Sequence, residues 1–394
     1  MSDRIVIVGH GHATQAALGQ ILKHKKNNEV IIISDEPLSG YQKPPLSKEY
    51  LTSQIDIRNL YFKSRDFYEK KGLTVMPATK IKQLDSHNRI LISESGHSYE
   101  FDKLIIATGV KPKRLASTCT GLHQLTELNS IADAQKLKET STNIKNLCII
   151  GAGFIGLEVA CSLSSIIPNI TIIEQEDRIL KRTNHKLIAD VLKKNILSKG
   201  VAILNGASVQ EIADNKKGFL VTTTQRSVIA DSILVAIGSA PNIDWLNGSG
   251  INLNNGIIVN NRCETNIEGI YAAGDCVSYA NPFNGSICRT TAISHAQHQG
   301  KIAGDNIFKV DNEFSELPWF WSNQGDMRLQ MIGYPELATS CIINQKENEK
   351  ITITHLMGDH IVGVESLNDP LSYAQAKKLM GNNKKITKAE AVWL

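Results

Sequence analysis

Gly9-His10-Gly11-His12-Ala13-Thr14 and its counterpart Gly151-Ala152-Gly153-Phe154-Ile155-Gly156 decide the fold of this 394-residue chain. Each follows a short β-branched run, Arg4 to Val8 in the first case and Asn146 to Ile150 in the second, and each opens a segment with helical spacing. Strand, glycine turn and helix in that order is the setting of a dinucleotide-binding βαβ unit. The first glycine turns the chain tightly and the second lets backbone approach a pyrophosphate. The N–H groups that open the helix then bind the anion. Two such units suit a chain that passes electrons between two nucleotides.

An acidic residue at the end of the next strand should accept hydrogen bonds from a ribose. In the second unit, Asn169 to Ile173 reads as a strand ending in Glu174, with no arginine directly after it. A carboxylate there repels a 2′-phosphate and favours NADH over NADPH. In the first unit Glu29 to Ile33 is followed by Asp35 and Glu36, either of which could hold a ribose. Thr14 stands where a third glycine or alanine is usual, and a β-branched residue there would crowd the helix against the strand.

With 42% hydrophobic and 21% charged residues, the chain can bury two or three cores and reads as an ordinary globular protein. No apolar leader precedes the first strand, and Glu158 and the glycines break every run that would approach a membrane span. These features predict a cytoplasmic protein with no membrane partner. The net charge of 43 − 39 = +4 suits an acidic partner but is far too weak to imply nucleic acid. Seven cysteines, Cys119, Cys148, Cys161, Cys263, Cys276, Cys288 and Cys341, are scattered and never spaced as CxxC or CxxxxC. That argues against a metal site, a disulfide framework and a redox dithiol, and makes Cys148 and Cys161 packing thiols.

Further along, Lys103 to Ile106 runs into Ala107-Thr108-Gly109, and Ser232 to Gly238 runs into Ser239-Ala240-Pro241-Asn242. Both read as strands returning to a sheet before the chain crosses between domains. Gly269 to Asp275 places a carboxylate just past a strand and Gly274. The duplicated βαβ pattern is itself a weak repeat.

These segments, with Lys43-Pro44-Pro45-Leu46-Ser47-Lys48, Glu158, Ala273-Gly274-Asp275 and Pro318-Trp319-Phe320-Trp321-Ser322, are similar to the NADH-dependent ferredoxin reductases of oxygenase systems. That group includes putidaredoxin reductase, rubredoxin reductase and the biphenyl dioxygenase reductase, within the glutathione-reductase-like flavoproteins. The resemblance spans essentially the whole chain. It implies an α/β fold with two Rossmann-like nucleotide-binding domains and a smaller α+β C-terminal domain. An FAD domain would comprise 1–113 and 245–320, an NADH domain 114–244, and the C-terminal domain 321–394. Interleaving of this kind would align nicotinamide with the isoalloxazine ring for hydride transfer.

The resemblance also implies residue roles. Gly9, Gly11, Ala13 and Thr14 would bind FAD pyrophosphate, Asp35 or Glu36 its adenosine ribose, and Asp275 the ribityl chain, with Lys43, Thr108, Gly109 and Gly274 also contacting the cofactor. Gly151, Gly153, Ile155, Gly156, Glu174 and Gly238 would serve NADH. Lys48 would sit beside the flavin, paired with Glu158, because a buried lysine or glutamate left alone is heavily penalised. The competing view makes both surface charges. Thr290-Thr291 into Ala292 reads as a threonine-capped helix start, whose dipole would favour the anionic reduced flavin near Thr291 and Ala292. His295 could instead contact the flavin. Trp321 resembles the aromatic that faces the ferredoxin, against which Trp319 and Trp321 could both be core residues.

Lys43 replaces a usual arginine, Asn129 occupies another arginine position, and Thr291 and Ile293 stand where glutamate and tryptophan are common, so FAD could bind more weakly. The resemblance implies FAD and NADH as cofactors, no metal, a small [2Fe–2S] ferredoxin as partner, and a monomer or weak homodimer. Five lysines from Lys377 to Lys388, with no acid among them, either help to dock an acidic ferredoxin or form a solvated face. Two other functions fit the motifs. One is a flavoenzyme with a small-molecule acceptor, although Ser39 to Lys48 lacks the cysteine that a disulfide reductase needs. The other is a non-catalytic NADH- and FAD-binding scaffold.

Overall fold

Both β-branched runs that precede the glycine turns become central strands of parallel sheets. The computed structural model describes residues 3–37, 40–115, 125–181, 185–215, 218–347, 349–381 and 386–390. Cys119, Lys384 and Lys385 lie outside them. The chain divides into two compact units. One comprises Met1–Gln42, Arg58–Lys111 and Ala240–Trp319, and the other Lys43–Ile57, Pro112–Ser239 and Phe320–Leu394. This division is coarser than the three domains expected from sequence, and it groups Lys43–Ile57 with the second fingerprint.

The first unit holds a five-stranded parallel sheet in the order Ile270–Ala272, Lys103–Ile106, Arg4–Val8, Glu29–Ile33, Leu73–Met76. Strands covered on both faces read as unbroken apolar runs rather than as alternating ones, and Ile5 to Val8 and Val30 to Ile33 are all buried. Helix His12–His24 joins the two central strands and buries Ala13, Ala17, Leu18 and Ile21. Helix Ile293–Asn306 packs closely on it. A Cβ at Gly300 would come within 2.2 Å of the Ala13 carbonyl oxygen, so only glycine allows that approach.

The second unit repeats the plan. Its parallel sheet runs Ala202–Asn205, Asn169–Glu174, Asn146–Ile150, Ser232–Val235, with helix Phe154–Leu163 after the central strand. In both units a three-stranded antiparallel sheet precedes the returning strand: Ile81–Asp85, Ile90–Ser93 and Ser98–Glu100 in the first, Val209–Asn215, Gly218–Thr223 and Ser227–Ala230 in the second. The duplication glimpsed in the motifs therefore extends to topology.

The C-terminal part of the second unit is a five-stranded sheet ordered Trp319–Gln324, Met327–Gly333, His360–Leu367, Lys350–Met357, Ser340–Lys346, followed by helix Pro370–Met380. Leu329, Ile351, Ile353 and Leu367 share a core with Ile149, Leu157, Leu163 and Ile172. Two Rossmann-like sheets plus this mainly antiparallel sheet is the architecture expected from sequence. Among the described residues no helix is long and apolar enough to cross a membrane.

Candidate active site

The first glycine turn is built by close approach of strands. Gly9 has φ +107°, and a Cβ on it would lie 2.1 Å from the Ala107 carbonyl oxygen. Its N–H donates to Ile33 O at 2.7 Å. Gly11, at the N-cap of helix His12–His24, carries no side-chain cap, and nothing lies within 4 Å of where its Cβ would be. An uncapped helix start beside open space suits a pyrophosphate. Thr14 is fully buried without strain because its hydroxyl donates to Gly9 O at 2.8 Å. The crowding expected of a β-branched residue is thus resolved by a hydrogen bond to the turn itself.

Several other expected cofactor residues gather in the same unit. Gly274 lies beside Ala13, since a Cβ on it would come within 3.2 Å of that side chain, and its N–H donates to Gln299 Oε1 at 2.9 Å. Asp275 follows, and its carbonyl accepts from Arg289 Nη1 at 3.2 Å. Arg289 was not singled out from sequence; it lacks any motif spacing. Thr108 donates through Oγ1 to Asn242 O at 2.8 Å, and Gly109 O accepts from Asn242 N at 3.0 Å, which joins the two turns read as domain crossings. Asp35 is exposed, whereas Glu36 is half-buried and accepts from the Tyr41 hydroxyl.

The threonine cap needs correction. Helix Ile293–Asn306 has Ala292 at its N-cap, with no side-chain hydrogen bond. The Thr290 hydroxyl is instead 2.8 Å from Tyr279 Oη, so it is not the cap. Thr291 and Ala292 still border the helix start, and an uncapped start offers its dipole directly to an anion. His295 is buried between the rings of Tyr279 and Phe314, each 4.7 Å away. Burial pushes its pKa down to about 3, so the imidazole is neutral.

In the second turn Gly151 has φ +106°, with Ala236 O 2.4 Å from a would-be Cβ. Gly153 repeats Gly11 as an uncapped N-cap facing open space. The third glycine is needed here. A Cβ on Gly156 would lie 2.2 Å from Gly151 O, the carbonyl equivalent to the one Thr14 binds in the first unit. Glu174 stands at its strand end with Oε2 accepting from Ala152 N at 2.7 Å and Oε1 from Glu176 N at 2.9 Å. Its carboxylate is therefore held against the glycine turn. Ile155 is 47% exposed at the helix start. Gly238 accepts from Lys113 N through its carbonyl at 2.9 Å.

Also within the second unit, Lys48 Nζ lies 2.8 Å from Glu158 Oε2. Ser47 Oγ donates to the same oxygen at 2.5 Å, and Ser322 Oγ donates to Oε1 at 2.6 Å. Gln324 Nε2 in turn donates to Ser322 Oγ at 2.8 Å. The view of Lys48 and Glu158 as surface charges is overturned, because Glu158 is buried with donors on both oxygens. Ser47, Ser322 and Gln324 carry no motif of their own in the sequence, although Ser47 and Ser322 lie inside the segments Lys43–Lys48 and Pro318–Ser322 that carry the resemblance. Lys43 is exposed, with Nζ 3.4 Å from Asn129 Oδ1, so the two departures from the arginine pattern are neighbours. Trp321 is half-buried, and the period of two along a strand turns it away from the face that carries Ser322.

Cys148, Cys263 and Cys276 are buried and Cys161 half-buried. Burial pushes the thiols of Cys148 and Cys276 up to about 12 and about 11, and that of Cys263 higher still. Among the described residues no two of the six cysteines are joined by a disulfide, and no group of His, Cys, Asp or Glu side chains is arranged to hold a metal.

Residues 3–300 match the pyridine nucleotide-disulphide oxidoreductase family, and residues 319–392 match the reductase C-terminal family. The chain is 29% identical over 384 residues to the probable ferredoxin reductase CtmF of Castellaniella defragrans, covering 96% of this chain and 94% of that one. It is 28% identical to rhodocoxin reductase of Rhodococcus erythropolis, covering 98% and 91%. The crystal structure of the ferredoxin reductase for the CYP199A2 system from Rhodopseudomonas palustris superposes with TM-score 0.93 at 25% identity, over 99% of this chain and 97% of that one. Putidaredoxin reductase, in its covalent complex with putidaredoxin, shares the fold at TM-score 0.92 and 23% identity, over 98% and 95%. With both glycine turns inside the first match and Ser322 inside the second, the chain belongs to the pyridine nucleotide-disulphide oxidoreductase family.

Proposed function

We propose that this chain is an FAD-dependent NADH:ferredoxin oxidoreductase serving an oxygenase system. The observation that carries the reading is the buried Lys48–Glu158 pair, whose glutamate lies on the helix that opens at the second glycine turn. A glutamate about one turn and a half along that helix keeps a lysine ammonium near where the reactive end of a dinucleotide would lie. When bound, FAD would supply hydride acceptance from NADH and release of the two electrons one at a time. The residues present fit both nucleotides, since Gly11 and Gly153 leave open space at two uncapped helix starts.

In this reading Gly9, Gly11, Ala13 and Thr14 hold the FAD pyrophosphate, and Asp35 the adenosine ribose, because Glu36 is engaged by Tyr41. Thr108, Gly109, Gly274, Asp275, Thr291, Ala292 and Lys43 complete the FAD contacts. Gly151, Gly153, Ile155, Gly156, Glu174 and Gly238 bind NADH, and Trp321 lies toward the electron acceptor. The domain division is 1–113 with 245–320 for FAD, 114–244 for NADH and 321–394 for the C-terminal domain.

The named relatives include reductases of a p-cumate dioxygenase system and of rubredoxin, and the partner proposed here is a small acidic [2Fe–2S] ferredoxin. The protein would act in the cytoplasm as a monomer or weak homodimer. The free cysteines with raised thiol values oppose a disulfide substrate.

The test mixes FAD-loaded protein with NADH and cytochrome c, with and without candidate ferredoxins. Strong ferredoxin-dependent stimulation supports the reading. Fast NADH oxidation in air without a carrier would support a small-molecule acceptor, and protein that never takes up FAD would support a scaffold.

A further inference from the structure

Glu158 is reached by a hydrogen-bond chain whose direction is fixed. Gln324 Nε2 donates to Ser322 Oγ at 2.8 Å, and Ser322 Oγ donates to Glu158 Oε1 at 2.6 Å. A serine hydroxyl has one proton to give. Because Gln324 offers a donor to the serine oxygen, that proton is directed to the carboxylate rather than to the amide. Ser322 and Gln324 are both fully buried, so water does not compete for either bond. The opposite carboxylate oxygen, Oε2, takes Lys48 Nζ at 2.8 Å and Ser47 Oγ at 2.5 Å. A carboxylate with its two oxygens bound to different donors cannot rotate without losing both sets.

We infer that Ser322 and Gln324 are positioning residues of the redox site, which fix the Glu158 carboxylate so that it holds the Lys48 ammonium in one place. The inference rests on the proposed role of the Lys48–Glu158 pair and extends it to the C-terminal sheet. It gives the strand Trp319–Gln324 two jobs on opposite faces: Trp321 on one, the Glu158 anchor on the other. Hydrogen bonds to a charged group contribute more than neutral ones, and a buried relay loses more than its pairwise parts when one member is removed.

The test measures flavin bleaching by NADH in rapid mixing, over a range of NADH concentrations, for wild type, Ser322→Ala, Ser322→Thr and Gln324→Glu. In Ser322→Ala the limiting rate should fall about 10- to 100-fold, the loss of one charge-assisted hydrogen bond, with half-saturating NADH little changed. Ser322→Thr keeps the hydroxyl and should recover most of the rate. Gln324→Glu replaces the donor with an acceptor, draws the serine proton away from Glu158, and should lower the rate with Ser322 intact. FAD content and melting temperature serve as folding controls. Should Ser322→Ala fail to fold, Ser322→Thr and Gln324→Glu still decide the matter.

If wild type bleaches normally and Ser322→Ala and Gln324→Glu match it, the positioning role is wrong while the function stands. The same holds if half-saturating NADH rises and the limiting rate does not fall. If wild type does not bleach with NADH, the functional reading itself fails.

Discussion

Lys48 and Glu158 stand 110 residues apart in sequence, yet Nζ and Oε2 are 2.8 Å apart, with side chains only 14% and 7% exposed. Neither charge could remain there alone, since an unpaired buried charge loses its hydration without compensation. The proline pair before Lys48 helps to set this contact. Pro44 and Pro45 open the short 3-10 turn Pro44–Ser47, which ends directly at the lysine.

Breaking the pair from one side should cost more than removing both charges. Lys48→Met is expected to destabilise the protein by about 3–5 kcal/mol, whereas Lys48→Met with Glu158→Leu should recover part of that loss. Both should bleach slowly with NADH. Urea unfolding of the two variants checks the difference, and equal losses would contradict it.

The two glycine turns respond in opposite ways at their third position. Thr14→Val removes the hydrogen bond to Gly9 O and should cost about 1–3 kcal/mol with the turn otherwise intact. Gly156→Ala forces a Cβ to 2.2 Å from Gly151 O, and it should open the turn and abolish NADH binding while FAD stays bound. Thermal melts and NADH titrations separate the cases.

Much of this was legible because βαβ units write themselves in short range. Apolar runs at Arg4 to Val8 and Asn146 to Ile150 formed parallel strands, Glu174 ended its strand, and both turns formed where glycine spacing put them. What could not be read depends on contacts between residues remote in sequence. Ser322 and Glu158 are 164 residues apart, and serine carries no periodic signal. The threonine cap failed for a related reason, because the Thr290 hydroxyl is engaged by Tyr279, on the strand Val277–Ala280. Thr14 looked like a defect because the pattern shows only its bulk, and not the carbonyl that its hydroxyl meets.

Glu174 should set coenzyme preference. With Oε2 2.7 Å from Ala152 N, the carboxylate stands beside the turn, where a 2′-phosphate would meet negative charge. Glu174→Gln should raise KM for NADH about tenfold, the equivalent of about 1.4 kcal/mol, and narrow the gap to NADPH. Steady-state KM values for both coenzymes provide the check, and an unchanged preference would place ribose recognition elsewhere.

Stability should fall with mild acid. His10 is buried and its Nδ1 accepts from Gly40 N at 3.1 Å, and burial lowers its pKa from 6.5 to about 4. The unfolded chain therefore binds more protons between those values, so this contribution is complete above pH 6.5 and is lost as pH falls toward 4. It amounts to about 3 kcal/mol at most. Urea midpoints measured across pH 7.5 to 5 should decline, and the decline should be shallower in His10→Gln, which cannot ionise. Parallel profiles would remove His10 as the cause.

In the proposed function one polypeptide draws electrons from NADH onto FAD and passes them to a separate ferredoxin. Anaerobic mixing of FAD-loaded chain with NADH, followed by oxidised [2Fe–2S] ferredoxin, tests it most directly. NADH should bleach the flavin, and ferredoxin should restore its colour as the ferredoxin is reduced. A flavin that stays oxidised with excess NADH, or stays bleached in the presence of every ferredoxin tried, would contradict it.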